Sequence, residues 1–359
     1  MTLTPMRPTK VLLSVAILLF LGWYSAYAQN ALFAQTGMQP ALTTGPDGVL
    51  HLVFGKGNAI YYAYSNDEGA NFSVPELVDS LTGLHLGASR GPRIAASRRS
   101  VVITAIDRKG DLYAYTRGPA GRWAEPQRVN DVPEIAKEGF NALTGDGEGN
   151  FFVTWLDLRQ DKKNKLYGAT SSDDGKSWSA NRLVYRSPDS TVCECCQPSA
   201  LMRGKEVFVM FRNWIDGSRD MYLIASNDKG KTFRSPVKLG QGTWKLNACP
   251  MDGGDLSAGA GKGITTVWRR HNQLYLARPG SEEQPIAQGR NASIAVSGPG
   301  TYVVWQHEGN IWLNIANQEK PESLGAGRFP RLVALSGGRA YCVWEDGGVL
   351  RGKVIASND

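Results

Sequence analysis

From Gln39 onward the chain alternates short apolar runs with polar turns, and no stretch carries the 3.6-residue period of an amphipathic helix. The runs come in sets. Each set opens with Pro or a small residue before a short apolar strand: Gln39-Pro40, Gly91-Pro92, Gly139-Phe140, Gln197-Pro198, Cys249-Pro250, Asn291-Ala292 and Phe329-Pro330. A turn follows, then a β-branched run ending in an aromatic residue in most sets: 50–54, 101–106, 151–155, 207–211, 264–268, 302–305 and 340–344. Third strands alternate, as in Ile60-Tyr-Tyr-Ala-Tyr64 and Met221-Tyr-Leu-Ile-Ala225, and fourth strands are expected over 72–78, 178–184 and 233–239. The sets start roughly 38 to 58 residues apart, the spacing of propeller blades. The expected fold is therefore all-β: a propeller of seven four-stranded antiparallel blades, with six blades and an atypical end as the alternative. The seventh set has no fourth strand after Ile355, so the segment around Ala31–Gln35 is expected to supply it and close the ring, removing two open sheet edges.

Three third-to-fourth turns share one motif, Ser-x-Asp-x-Gly-x-polar-aromatic. The copies are Ser65, Asp67, Gly69 and Phe72; Ser171, Asp173, Gly175 and Trp178; Ser226, Asp228, Gly230 and Phe233. A carboxylate can accept N–H bonds across a tight turn, Gly can take a positive φ, and the ring can fold back onto the sheet. These are structural turns, and no catalysis is expected there.

The N-terminus reads as an export signal: Arg7 and Lys10, then the apolar stretch 11–23, then Ala26-Tyr27-Ala28 as a small-x-small cleavage site. The expected division is a signal over 1–28 and one propeller domain over 29–359, placed in the periplasm or secreted, with no membrane association after cleavage. The formal net charge is +7, and losing Arg7 and Lys10 leaves 7 − 2 = +5. No basic stripe with interleaved aromatics suggests nucleic acid. A mildly basic surface suits a small anionic ligand. The glycine-rich run 254–263 lacks the Ser/Thr and helix of a phosphate loop. The four histidines, His51, His85, His271 and His307, lack metal-ligand spacing.

Cysteine is the most unusual local feature. Cys193, Cys195 and Cys196 stand just before the inner strand of the fourth set, and Cys249 stands at the same point of the fifth, with Met251 and Asp252 beside it. In a propeller these positions converge near the axis. Disulfides, including a vicinal Cys195–Cys196 bridge, are one expectation for an exported chain. A soft-metal site is the other: thiolates with a thioether suit Cu(I), and four thiolates suit Zn. Cys342, within a strand, is expected to be a buried free thiol. Arginines form a second set of candidates. Arg93 and Arg331 occupy equivalent inner-strand positions, and Arg212, Arg269 and Arg270 follow second strands. Guanidinium forks match carboxylates in bidentate fashion. Asp107, Glu138, Asp157, Asp252, Asp255, Glu345 and Asp346 are loop carboxylates open to acid–base roles.

With its three Asp boxes, or BNR repeats, the chain resembles the sialidase (neuraminidase) superfamily, which holds exo-sialidases, other glycosidases and glycan-binding proteins. The resemblance implies a glycan ligand, hydrolysed by an exo-sialidase-type reaction if the protein is an enzyme. Sialidases hold the sugar carboxylate with three arginines, and Pro92-Arg93-Ile94-Ala95 is similar to their first Arg motif. Arg212 and Arg270 take the other two places by blade position. No residue is assigned to the family's Tyr–Glu nucleophile pair or acid Asp, so catalytic residues stay unassigned. A seventh unit and the cysteine cluster depart from the family's six-bladed pattern. Two further readings stay open: a non-catalytic propeller built around a Cu, Zn or disulfide site, and a scaffold for a protein partner that the sequence does not identify.

Overall fold

The computed structural model describes residues 33–356 except 190, 260, 262, 317 and 319, together with Met1. The expected signal beyond Met1, and Ala31 and Leu32 of the expected closing strand, lie outside the described residues. Twenty-eight strands, β1(Phe33–Thr36) to β28(Val349–Ile355), make seven four-stranded antiparallel sheets. Blades 1 to 6 each use four consecutive strands: β2–β5, β6–β9, β10–β13, β14–β17, β18–β21 and β22–β25. Blade 7 is built from β26(Arg328–Ala334), β27(Ala340–Asp346), β28 and β1, with β1 outermost. Phe33 pairs with Gly352 and Thr36 with Val349. The alternation in the sequence thus predicted both the seven-bladed class and the end that closes it. Among the described residues no helix is long and apolar enough to cross a membrane.

The second strand of each blade is covered on both faces, which is why these strands read as unbroken apolar runs. Val101–Ile106 (β7) and Phe151–Asp157 (β11) are buried throughout. Seven apolar clusters result, one at each interface between neighbouring blades. Trp155, Trp268, Trp305 and Trp344, at the ends of second strands, fill four of them. An eighth, separate cluster is the cysteine group with Met251.

The Asp boxes stitch neighbours together. In the first, Ser65 Oγ donates to Asp67 Oδ1 (2.7 Å) and accepts from Gly69 N–H (2.8 Å), while Asn71 N–H donates to Asp67 Oδ1 (2.8 Å). The second and third repeat this scheme. Two consecutive residues take positive φ in each turn, Glu68-Gly69, Asp174-Gly175 and Lys229-Gly230, the backbone sign that the central pair of a type I′ turn requires. The ring does not merely pin its own hairpin, as the sequence suggested. Phe72 packs on Tyr341 and Phe233 on Phe152 (both 5.7 Å between centroids), each on the second strand of the preceding blade. The Gly is equally constrained: a Cβ on Gly69 would lie 2.2 Å from Tyr341 Cε2.

Blade 4 departs from its neighbours. Its middle hairpin, β15(Glu206–Ile215) and β16(Ser218–Ser226), is longer than any other. The extension carries Arg212, Asn213, Trp214 and Arg219, and it builds one wall of the candidate site.

Candidate functional site

Segments that lead into inner strands and turns between second and third strands share one end of the ring; the Asp boxes share the other. All four candidate cysteines therefore gather at one mouth. Cys193 N–H donates to Arg212 O (3.1 Å), and Val192 pairs with Asn213, so the long β15–β16 hairpin holds the cysteine segment in place. Blade 5 closes on it from the side. Gly253 makes this approach possible, since a Cβ there would sit 2.2 Å from Gln197 O.

All five cysteines are free thiols, so neither a vicinal bridge nor any other expected disulfide is formed. Cys193 Sγ lies 3.4 Å from Cys196 Sγ and 3.7 Å from Cys195 Sγ, and all three residues are at least 95% buried. Met251 packs against the three. The expected convergence of four thiols is corrected to three plus one: Cys249 is exposed and groups instead with Cys195 and Glu194, 3.8 Å from Glu194 Oε1. Cys342 is buried in β27, far along the chain in blade 7.

The thiols share protons unequally. Burial opposes charge on Cys196, but the Cys193 and Cys195 thiols, the Arg212 charge and the Asp252 N–H outweigh it and hold this group well below the usual thiol value. Mutual bonding and burial push Cys195 up. For Cys193 the bond with Cys195 acts downward, and the bond with Cys196 together with burial prevails upward. Arg219 stands over the group: Nη1 donates to Cys193 Sγ (3.0 Å) and to Glu194 Oε2 (3.2 Å), and the guanidinium stacks on Trp214 (4.6 Å).

The arginines do not assemble as the resemblance implied. Arg93 and Arg331 do share the throat of the central channel, in a narrow cavity of about 140 Å³ with Gln197, Ser199 and Asp255. Arg331 Nη2 donates to Gln197 Oε1 (3.0 Å); Arg93 donates to Ser89 O (2.6 Å) and Pro92 O (3.0 Å), leaving its Nε without a partner. Arg212 is spent inside the wall: it donates to the carbonyls of Asp252, Arg219 and Arg269 at 2.8–3.2 Å. Arg270 turns outward to a two-pronged pair with Glu283 (2.7 and 2.5 Å) and stacks on Tyr275. Three forks that bind three different partners cannot close on one carboxylate. Arg269 Nε lies 2.8 Å from Asp252 Oδ2, an ion pair rather than an aligned hydrogen bond.

Most carboxylate candidates are structural. Asp157 binds Arg159 and Trp155, Asp107 caps its own turn, and buried Glu345 accepts from Gln39 across the blade 7–blade 1 junction and pairs with Arg328 of its own blade. Asp346 pairs with Arg351, and Asp255 accepts from Ser293 Oγ (2.7 Å). Burial raises Asp252 and Asp255 above the usual carboxylate range despite nearby arginines. Glu138 is different. With Glu194, Asn164, Thr191, Leu158, Lys162, Lys163, Asp189 and Trp214 it lines an open cleft of about 670 Å³ between blades 3 and 4. Burial, with a smaller push from Glu194, raises its carboxyl. Beside the cleft Arg90 Nε donates to Glu138 O (2.6 Å) and stacks on Phe140 (4.1 Å). Trp214 and Asn164 were not singled out in the sequence: Asn164 sits in a short basic run that resembles a solvated loop, and Trp214 reads as the end of a strand. At the opposite mouth the channel widens to about 590 Å³, lined largely by apolar inner-strand residues such as Leu42, Leu143 and Val333.

Fold and site together define a seven-bladed β-propeller with an open cleft and a thiol cluster at one mouth. The chain resembles several solved structures. An intramolecular trans-sialidase from Ruminococcus gnavus is 12% identical, with a TM-score of 0.50 over 92% of this chain and 96% of that one. A mutant of AofleA from Arthrobotrys oligospora is 13% identical, with a TM-score of 0.53 over 83% and 90%. Virginiamycin B lyase from Staphylococcus aureus is 12% identical, with a TM-score of 0.57 over 90% and 99%. Identities this low carry the fold alone. No protein-family model matches the sequence, and comparison with curated proteins finds no match.

Proposed function

We propose that this chain is an exported, sialidase-like propeller that recognises a glycan, and that the glycan sits in the cleft between blades 3 and 4. The observation that carries this reading is the cleft's lining. Trp214 offers an apolar face for a sugar ring, and Glu138, Glu194, Asn164 and Thr191 offer acceptors and donors for its hydroxyls. The outward turn of Arg270 and the enclosure of Arg212 favour recognition over exo-sialidase turnover. Calorimetry with sialylated and neutral oligosaccharides tests the proposal. Binding in the millimolar range or tighter is expected, with a loss of about tenfold or more in Trp214→Ala. Failure of every glycan in a broad array to bind the folded wild-type chain would reject it. Release of a fluorophore from a sialoside would move the reading from lectin to enzyme, with Glu138 as the first carboxylate to replace.

A further inference from the structure

We propose that Cys193, Cys195 and Cys196 form a binding site for one copper(I) ion, with the Met251 thioether as an auxiliary donor. This goes beyond glycan recognition and rests on different residues from the sugar-facing side chains. Three observations carry it. The first is spacing. Metal–thiolate bonds of about 2.3 Å from three sulfurs around one ion require S···S separations of about 3.7–4.0 Å. The Cys193–Cys195 and Cys193–Cys196 separations are 3.7 and 3.4 Å, and the three sulfurs lie within 4.8 Å of one another. Shifts of a few tenths of an ångström would complete the set.

The second is donor number and type. Three thiolates and a thioether are all soft, and among the described residues neither a histidine nor a carboxylate joins this buried group. The fourth thiol, Cys249, groups with Glu194 and Cys195 on the solvent side. Structural zinc takes four strong ligands in a tetrahedron. A monovalent soft ion is content with three sulfurs, so the set selects Cu(I) over Zn(II). The third is charge. One Cu(I) on three thiolates leaves a net −2. Arg219 donates to Cys193 Sγ, supplying fixed positive charge. Exposed Cys249, next to Cys195, gives an arriving ion a first donor. Loading displaces thiol protons to solvent and moves no electron.

The full chain, reduced and kept free of oxygen, would be offered Cu(I) buffered by bathocuproine disulfonate. The expected result is one copper per chain after desalting. X-ray absorption should show a shell of sulfur at about 2.2–2.3 Å. C196S should weaken retention about 100-fold or more, M251L by about tenfold or less, and C342S not at all. Thermal melting of each apo variant checks folding. Should C196S fail to fold, the absorption shell of the wild-type chain decides. The proposal is overturned by no copper held against the chelator, by a shell of nitrogen or oxygen, by equal retention in a folded C193S or C196S, or by zinc displacing copper. A disulfide among the three cysteines that persists in the reduced chain, seen by mass spectrometry, overturns it as well.

Discussion

At the residue scale, small groups fix large contacts. Gly69 takes positive φ and abuts Tyr341 of the preceding blade, so Gly69→Ala meets both backbone strain and a clash. The expected cost is about 2 kcal/mol or more, read from urea denaturation midpoints. Asp228 gives a pH-dependent prediction. Slight burial opposes its charge, but bonds from Thr232, Ser226 and the N–H groups of Thr232 and Lys231 outweigh it and hold the carboxyl below the usual range. A depressed folded value means the charged form stabilises the fold. That stabilisation is complete above the unfolded value near pH 4 and disappears as pH falls through the lower folded value. Wild type should therefore exceed D228N by about 1 kcal/mol at neutral pH, with the gap closing below roughly pH 3. A gap that stays constant from pH 7 to pH 2 would show that the carboxylate charge is not involved.

Among the elements, the sequence was most readable where one blade repeats another and least where blade 4 differs. The second strands announced themselves because burial on both faces demands β-branched and aromatic residues. The inner strands were marked by their Pro or small-residue lead-ins. In contrast, Arg212-Asn213-Trp214 reads as the end of a strand, because the Asp252 carbonyl that Arg212 binds and the Tyr185 hydroxyl that Asn213 Nδ2 binds come from outside the hairpin, which no local pattern reveals. The same holds for Arg270, whose partner Glu283 comes from the approach to an outer strand. Equivalent blade positions correctly placed Arg93 and Arg331 in one throat, but could not say which way a long side chain leaves the strand. The closing strand gives an element-scale prediction. Deleting residues 29–36 uncovers the edge of β28. The shortened chain should melt at least about 10 °C lower and associate on size-exclusion columns. A monomer of unchanged melting temperature would mean that closure adds little.

For the whole molecule, seven interface clusters spread the apolar core around a ring, so no single centre dominates stability. Glu345 sits where the ring is joined, accepting from Gln39 and pairing with Arg328. Glu345→Gln should leave the other interfaces intact yet destabilise the whole by about 2–4 kcal/mol, seen as one cooperative calorimetric transition at lower temperature. Two separate transitions would show instead that blades melt independently. The proposed export can be checked by sequencing the N-terminus of the chain from a periplasmic or secreted fraction, where a start near Gln29 is expected. A chain recovered only in the cytoplasm with Met1 intact would reject that proposal.

Because β1 is the outer strand of the sheet whose other members are β26, β27 and β28, its residues have no partner until some three hundred further residues have been synthesised. While residues 349–355 are still inside the ribosomal tunnel, blade 7 is held back as well, and a product terminated before β28 would be left with its opening strand unmatched.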